Sequence, residues 1–206
     1  MRIVVVSEFS ARDKNPFILD AVTAVQPDVH NVGMTAEGDA ADLTYIHTGL
    51  MTALALNSGA ADFVVGGCGT GEGYMMSALQ YPGVYCGLVA DAMDAWLFSQ
   101  INAGNAVSLR LNQGFGWAGE VSLRHIFERL FQDQPGGGYP PQRRDSQQRS
   151  RTILCDVNAA THRTMIDIVG SLAPSIVQPV LAHQPFVDFM AQFAVDEQLK
   201  NFVTGR

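Results

Sequence analysis

The stretch Ala61-Asp-Phe-Val-Val-Gly-Gly-Cys-Gly-Thr-Gly-Glu-Gly-Tyr-Met-Met76 decides the fold of this chain. Its opening part, Phe63 to Val65, is apolar and β-branched, which predicts a buried strand. Glycines then crowd residues 66–73, and the segment that follows, up to Leu79, predicts a short helix. A strand, a glycine-rich loop and a helix in this order form a unit whose loop amides can bind an anion.

Cys68 and Thr70 stand between these glycines. A thiol among free backbone amides lies in a positive potential, which favours its thiolate form. Cys68 is therefore a candidate catalytic residue. The alternative is a small core hydrophobe at the end of a strand, which is how buried cysteines usually behave. The glycines favour the catalytic interpretation, because a core strand gains nothing from them.

A dinucleotide-binding fingerprint is a competing interpretation of the same glycines. The motif G-x-G-x-x-G fails at its third glycine, since that position holds Glu72 when counted from Gly67 and Tyr74 when counted from Gly69. Asp91 stands near the position of a ribose-binding acid, which keeps nucleotide binding open as a weaker alternative.

Length, charge and cysteine usage restrict the classes of function. A chain of 206 residues can bury a substantial core. Its net charge of −7 argues against a nucleic-acid surface and against binding to anionic membranes, but a small anion can still bind in a local positive field. The three widely spaced cysteines form neither a disulfide framework nor a metal site, so we expect no metal and a cytoplasmic location.

Apolar β-branched runs alternate with helical patterns along the first two thirds of the chain. Strands are predicted at 3–6, 29–32, 63–65, 84–89 and 106–109, and helices at 16–25, 39–56, 74–79, 92–101 and from about 114 to 131. This alternation predicts a parallel sheet with helices on both faces, and ligands then bind outside the carboxyl ends of the strands. We expect the loops at 7–12, 66–73 and 102–105 to meet there.

Composition divides the chain into three segments. We expect an α/β domain over 1–134, a linker or arm rich in Pro, Gly and Arg over 135–151, and a helical C-terminal extension over 152–206. The basic run in the middle segment is either a solvated linker or an arm whose guanidinium groups bind an anion. In the extension, we expect a helix from Asn158 to Val169. The stretch from Phe186 to Phe202 predicts an amphipathic helix that packs on the main domain or on a second subunit.

Three segments then show a resemblance to a known family. Asp62-Phe-Val-Val-Gly-Gly-Cys-Gly-Thr-Gly71, Gly83-Val-Tyr-Cys-Gly87 and Asn102-Ala-Gly-Asn105 resemble the type B ribose-5-phosphate and galactose-6-phosphate isomerases, over roughly residues 1 to 150. The resemblance implies a Rossmann-like three-layer sandwich with a five-stranded parallel sheet, to which this chain adds its helical extension. It also implies an isomerase of sugar phosphates that uses no cofactor and works as a homodimer, with active sites built from both subunits.

The resemblance also implies roles for individual residues. Cys68 would be the base that moves a proton between C1 and C2 through an enediolate, and Thr70 would orient the substrate oxygens. Asn102 would bind an enediolate oxygen. The amides of the loop would stabilise the oxyanion, and they belong to Gly69, Gly71 and Gly73. Proton abstraction beside a carbonyl needs such a base and a preorganised anion site.

The chain departs from the family pattern at several positions. The ring-opening histidine falls at Ile101, which cannot transfer a proton. The early Asp-His pair falls at Glu8-Phe9, so Glu8 would bind a substrate hydroxyl while a phosphate-binding histidine is lost.

The expected arginines have also moved. The arginine after the fifth strand appears as Asn112 or is shifted to Arg110, and the C-terminal arginine pair is matched loosely by Arg144 and Arg149. Two functions remain: an aldose–ketose isomerase of a small sugar phosphate, for which a substrate that needs no ring opening would suit Ile101, or a degenerate subunit that binds a sugar phosphate beside an active isomerase.

Overall fold

The computed structural model of this chain describes residues 1–35 and 42–205 and contains a five-stranded, all-parallel sheet. Its strands are β1 (Ile3–Val5), β2 (Val29–Asn31), β3 (Phe63–Cys68), β4 (Cys86–Val89) and β5 (Ala106–Arg110). Their order is β2-β1-β3-β5-β4, so β3 is central and β4 is an edge strand. The predicted parallel α/β sheet is confirmed.

Helices cover both faces of the sheet. They are α1 (Asn15–Thr23), α2 (Tyr45–Asn57), α3 (Glu72–Ala78), α4 (Ala92–Leu97) and α5 (Gly119–Phe131). Side chains of α1, α4 and α5 share one hydrophobic cluster with one face of the strands, and those of α2 and α3 share a second cluster with the other face. The first part of the predicted helix at 39–56 lies outside the described residues, and α2 begins at Tyr45.

Strand β3 is longer than the sequence suggested. The prediction ended it at Val65, but the strand continues through Cys68. The reason is packing, because a Cβ placed at Gly66 would lie 2.2 Å from Cζ of Tyr74, whose ring is fully buried beneath the strand. The Tyr74 hydroxyl shares a 2.6 Å hydrogen bond with Thr52 Oγ1. Burial raises the pKa of Tyr74 well above its usual value.

The C-terminal region consists of five helices. They are α6 (Arg144–Thr161), α7 (Met165–Ser171), α8 (Pro174–Ala182), α9 (Gln184–Phe193) and α10 (Glu197–Thr204). The expected segment boundary at 151/152 falls inside α6, so the basic second half of the 135–151 segment is helical and continues into the C-terminal extension. A helix starting at Asn158 was wrong, since α6 ends at Thr161 and the next helix is capped by Thr164, which accepts from Asp167 N–H.

Helices α7 to α10 pack on the main domain. Phe186, Phe189 and Leu199 are buried in the same hydrophobic cluster as Leu50 and Leu54 of α2. The amphipathic stretch that was predicted as one helix is divided into α9 and α10, and of its two predicted partners the main domain is the one observed. Among the described residues no helix could span a membrane by itself, although α7 and α8, bent by 110°, meet the length and composition criterion as a pair.

Candidate active site

Cys68 is the last residue of β3, and the loop after it is tied to the end of the neighbouring strand β5. Leu111 N–H donates to Cys68 O at 3.0 Å, and Asn112 N–H donates to Gly69 O at 3.0 Å. The hydroxyl of Ser108 donates to Gly71 O. The glycine loop is thereby folded over the carboxyl end of β5, with its carbonyl oxygens directed into the sheet.

The amides of this loop are not used by the sheet. Within the described part of the chain, no hydrogen bond leaves the N–H groups of Gly69, Thr70 or Gly71. Thr70 is exposed, whereas Cys68 keeps 6% of its surface accessible. The thiol therefore lies just beneath the surface, beside donors that remain available to an anion.

Glu8 lies at the same edge of the sheet. Its side chain is 4% exposed, follows strand β1 and accepts a hydrogen bond from the hydroxyl of Ser10. Asn112 Nδ2 donates to Ser10 O at 2.9 Å, and a Cβ at Gly69 would lie 3.4 Å from the same Nδ2 atom. Glu8 and the Cys68 loop are therefore linked through Ser10 and Asn112, two residues to which the sequence analysis gave no such role.

Gly73 contacts a residue that the sequence analysis missed. A Cβ at Gly73 would lie 3.3 Å from the ring of Tyr45, the first residue of α2, which is 43% exposed. The helix start is fixed by a capping box, in which Thr44 N–H donates to His47 Nδ1 at 2.9 Å. A helix that follows a strand of a parallel sheet begins at the carboxyl edge, and this rule could have identified Tyr45.

Asn102 lies at the opposite edge of the sheet, so the expectation that loop 102–105 joins the Cys68 loop was wrong. It ends a π-helical turn, Phe98–Asn102, that precedes β5. The Asn105 side chain accepts from Tyr85 N–H at 2.8 Å and donates to Gly83 O at 2.7 Å, just before β4 begins. These bonds fix loop 102–105 at the amino ends of the strands.

The strand register gives the separation of the two loops. Val64 pairs with Ala106 and Cys68 pairs with Arg110, so Cys68 lies four residues further along the sheet than the start of β5. At about 3.3 Å per residue this is roughly 13 Å, and Asn102 lies further away still. Within one chain, Cys68 and Asn102 cannot contact the same carbon atoms of a small substrate.

Arg144 and Arg149 belong to the same amino-edge region as Asn102. Both are exposed on α6, which contains no buried residue. A cavity of about 900 Å³ lies between α6 and the starts of β4 and β5. Its lining includes Tyr85, Cys86, Ile101, Asn102, Gln147, Leu154 and Val157. Leu154 and Val157 are 53% and 49% exposed, so α6 presents an uncovered apolar surface beside this cavity.

The other two cysteines differ from Cys68 in their surroundings. Burial raises the pKa of Cys86 to about 12, so this thiol stays protonated at neutral pH. Cys155 is exposed on α6 and lies beside Tyr85. Burial of Tyr85, together with this neighbouring thiol, raises the pKa of Tyr85 to about 12. Residues 1–35 and 42–205 contain no group of three or more His, Cys, Asp or Glu side chains that could hold a metal ion.

Comparison with known proteins identifies the family. A sequence model described as Ribose/Galactose Isomerase matches residues 3–139 of this chain. The chain belongs to that family. This confirms the resemblance, and because the members to which it is similar are isomerases, the chain is an isomerase. No match was found among curated proteins.

Two solved structures match this chain over its whole length. One is a ribose-5-phosphate isomerase from Vibrio parahaemolyticus, with 40% identity and a TM-score of 0.95, and the other is a 4-deoxy-L-threo-5-hexosulose-uronate ketol-isomerase complexed with a tartrate, with 38% identity and a TM-score of 0.96. Each match covers 100% of this chain and 98% of the other. A type B ribose 5-phosphate isomerase of Trypanosoma brucei shares the fold at 20% identity and a TM-score of 0.63, over 76% of this chain and 97% of that protein.

Proposed function

We propose that this isomerase interconverts an aldose and a ketose by proton transfer, with the Cys68 thiolate as the base. The thiolate takes the proton from C2 of the aldose, and the electrons of the C–H bond form the enediolate. The same sulfur returns the proton to C1, while the proton of the C2 hydroxyl moves to the oxygen on C1. The reaction is balanced without a redox cofactor or a metal.

The observation that carries this proposal is the position of Cys68 beside unused amides. The sulfur stands at the carboxyl end of the central strand, and the N–H groups of Gly69, Thr70 and Gly71 remain available in the described structure. Preorganised donors of this kind stabilise a developing oxyanion. Gly73, in the first turn of α3, lies beside the Tyr45 ring, and the Glu8–Ser10 pair supplies groups that can bind a substrate hydroxyl.

The substrate that fits best is an open-chain sugar derivative with a charged end. Ile101 stands where the family has a ring-opening histidine, and an aliphatic side chain cannot move the ring proton. A tetrose with phosphate on its terminal oxygen cannot close a furanose ring, so it needs no such group. A linear keto-uronate of the kind named for the ketol-isomerase relative is a second substrate of this class.

We further propose that the working unit is a homodimer whose sites combine both chains. A two-fold axis beside the edge strand β4 would reverse the strand direction of the partner. The amino-edge loop of one chain, with Asn102, would then approach the carboxyl edge of the other, with Cys68. Arg144 and Arg149 would accompany Asn102 into the partner's site, and the apolar surface of α6 would be covered.

The remaining expectations enter the proposal unchanged. A small molecule, and neither a nucleic acid nor a membrane, is the ligand, as the net charge of −7 favours. The location is cytoplasmic, since three free cysteines suit a reducing compartment. The binding subunit without catalysis that the sequence left open is disfavoured by the family match, and the exchange experiment below tests it.

Deuterium exchange tests the proposal. Wild-type protein, Cys68→Ser and the control Cys155→Ser, which alters an exposed thiol, are incubated in D2O with erythrose 4-phosphate, ribose 5-phosphate and the keto-uronate. We expect deuterium at C2 of at least one aldose with the wild type and the control, and none with Cys68→Ser. Exchange that survives Cys68→Ser would remove the sulfur from the mechanism, and no exchange with any substrate would favour the binding subunit.

A further inference from the structure

Trp117 is a fully exposed tryptophan in the loop that joins β5 to α5. A loop that follows a strand of a parallel sheet lies at the carboxyl edge, where Cys68 and its glycine loop also lie. In the part of the chain that the structure describes, the indole of Trp117 forms no hydrogen bond and no ring contact. Tryptophan side chains are on average highly buried, so full exposure beside a candidate active site needs an explanation.

The start of this loop is bonded to the residue that follows Cys68. The N–H groups of Asn112 and Gln113 both donate to Gly69 O, at 3.0 and 2.9 Å. Trp117 follows Gln113 by four residues, and four residues of fully extended chain span at most about 14 Å. The indole is therefore held within reach of the glycine loop and of the thiol at its start.

The middle of the loop has one anchored ring with open space on both sides of it. Phe115 packs on the ring of Phe17, with the two centroids 5.8 Å apart. Gly114 and Gly116 flank Phe115, and a Cβ built on either glycine would have no atom within 4 Å. Since glycine has wide backbone freedom, Trp117 can change its position by rotation at Gly116 while Phe115 stays in place.

The candidate site is open to water on the side of the glycine loop. Thr70 is exposed there, and the loop amides next to it are unused within the described chain. These amides would stabilise an enediolate oxygen more strongly without water, because electrostatic interactions strengthen as the dielectric constant falls. Exclusion of water would also slow the exchange of a proton held on the Cys68 sulfur. A mobile apolar side chain at this edge can provide that exclusion.

We propose that Trp117 contacts the substrate, and that its indole closes over the carbon chain of the sugar in the Cys68 site. This inference rests on the proposed isomerase function. The flat apolar face of the indole fits the C–H groups of a linear sugar, and its N–H can donate to a substrate oxygen. The bonds of Asn112 and Gln113 to Gly69 O favour the substrate as the partner of the indole, because they tie this loop to the site itself.

Tryptophan fluorescence tests the inference, because the chain contains only two tryptophans. The other one, Trp96, donates to Asp133 at 2.9 Å and lies against the ring of Tyr139, so Trp96→Phe leaves Trp117 as the single reporter. The probes are erythronate 4-phosphate, ribonate 5-phosphate and gluconate, which have neither an aldehyde nor a ketone and are not isomerised. We expect the free protein to emit as an exposed indole does. Binding of at least one probe should shift the emission to shorter wavelength and reduce its quenching by acrylamide.

The kinetics of Trp117→Ala provide a second measurement. Loss of an apolar side chain that buries the substrate should lower kcat/KM by about 10- to 100-fold, and Trp117→Phe should restore part of it. Each isomerisation by Trp117→Ala in D2O should also incorporate more deuterium than one by the wild type, because the sulfur stays open to solvent. The control Val195→Ala removes another exposed apolar side chain, at the amino edge, where Val195 N–H donates to Ser58 O. It should change neither quantity.

Any one of three results would overturn the inference. The first is binding of a probe, measured by calorimetry, with no change in the emission of Trp117. The second is free protein whose emission is already that of a buried indole, since the partner subunit would then cover the ring. The third is a Trp117→Ala variant with unchanged kcat/KM and unchanged deuterium incorporation.

The same data separate this inference from the proposed function. Isomerisation by the wild type that does not depend on Trp117 would refute the inference alone. A probe-dependent shift in emission without isomerisation of any substrate would refute the aldose–ketose proposal and leave Trp117 as part of a binding site. A wild type that neither binds a probe nor isomerises a substrate would refute both.

Discussion

A mixture of two inactive variants should regain activity if each site combines two chains. Cys68→Ser removes the base at the carboxyl edge, and Asn102→Ala removes the amide at the amino edge. The strand register separates these edges by about 13 Å, which exceeds the combined reach of a cysteine and an asparagine side chain acting on one C1–C2 bond. In a dimer of Cys68→Ser alone, both sites lack the base. In a dimer of Asn102→Ala alone, both sites lack the amide that the partner chain supplies. Each variant should therefore be inactive by itself.

The size of the recovery follows from the symmetry. Random exchange of equal amounts of the two variants gives mixed dimers as about half of the population, and each mixed dimer has one doubly altered site and one intact site. The mixture should therefore reach about a quarter of wild-type activity per chain. The assay is C2 deuterium exchange after the variants have been co-refolded at equal concentration, with each variant refolded alone as the control.

Two results would refute this reasoning. Absence of recovery in mixtures that light scattering shows to be dimeric would mean that Cys68 and Asn102 act within one chain, or that Asn102 has no part in the site. A monomeric wild type that is fully active would have the same consequence, because no partner would then be needed.

Two further predictions concern stability. Gly66→Ala should lower the free energy of unfolding by about 1–3 kcal/mol in urea titrations, because its methyl group would meet the buried Tyr74 ring. The control Gly170→Ala changes an exposed helical position with free space around it, so its free energy of unfolding should rise by up to about 1 kcal/mol. Equal stability of Gly66→Ala and wild type would contradict the packing argument. Burial raises the pKa of Cys86 from 9.0 to about 12. Between pH 9 and pH 12 the thiol therefore ionises only in the unfolded chain, so the protein loses free energy of unfolding as pH rises above about 9. Between pH 8 and pH 10 the wild type should lose about 1.4 kcal/mol more than Cys86→Ser, and parallel losses would show that Cys86 does not titrate in this way.

The sheet could be predicted because its strands are short β-branched runs, buried on both faces and separated by helical patterns. The end of β3 could not, since Gly66 and Gly67 resemble a loop until the ring of Tyr74 is known to lie against them. The start of α6 was missed for a related reason: a polar segment rich in Arg and Gln has good helix propensity, but composition alone does not distinguish it from a linker.

The candidate site was predicted in part. The loop after β3 lies at the carboxyl edge, as its place after a strand requires, and Glu8 lies there too. The predicted position of Asn102 was wrong. The order of the elements is sufficient to place this residue, because a loop that precedes β5 must lie at the amino edge. The contact of the Arg110 side chain with Gly71 could not be found from sequence, since it depends on how the glycine loop folds over the end of β5.

The packing of α7 to α10 also changes which residue types the helix α2 can contain. From Thr48 to Ala55 every residue of α2 is buried, so this part of the helix has no side exposed to water. A surface helix must carry polar residues along one stripe, whereas a helix enclosed between the sheet and a second helical layer is released from that requirement. The effect of a substitution in this segment therefore depends on how its side-chain volume fits against both neighbouring layers, and a charged side chain introduced there cannot reach water.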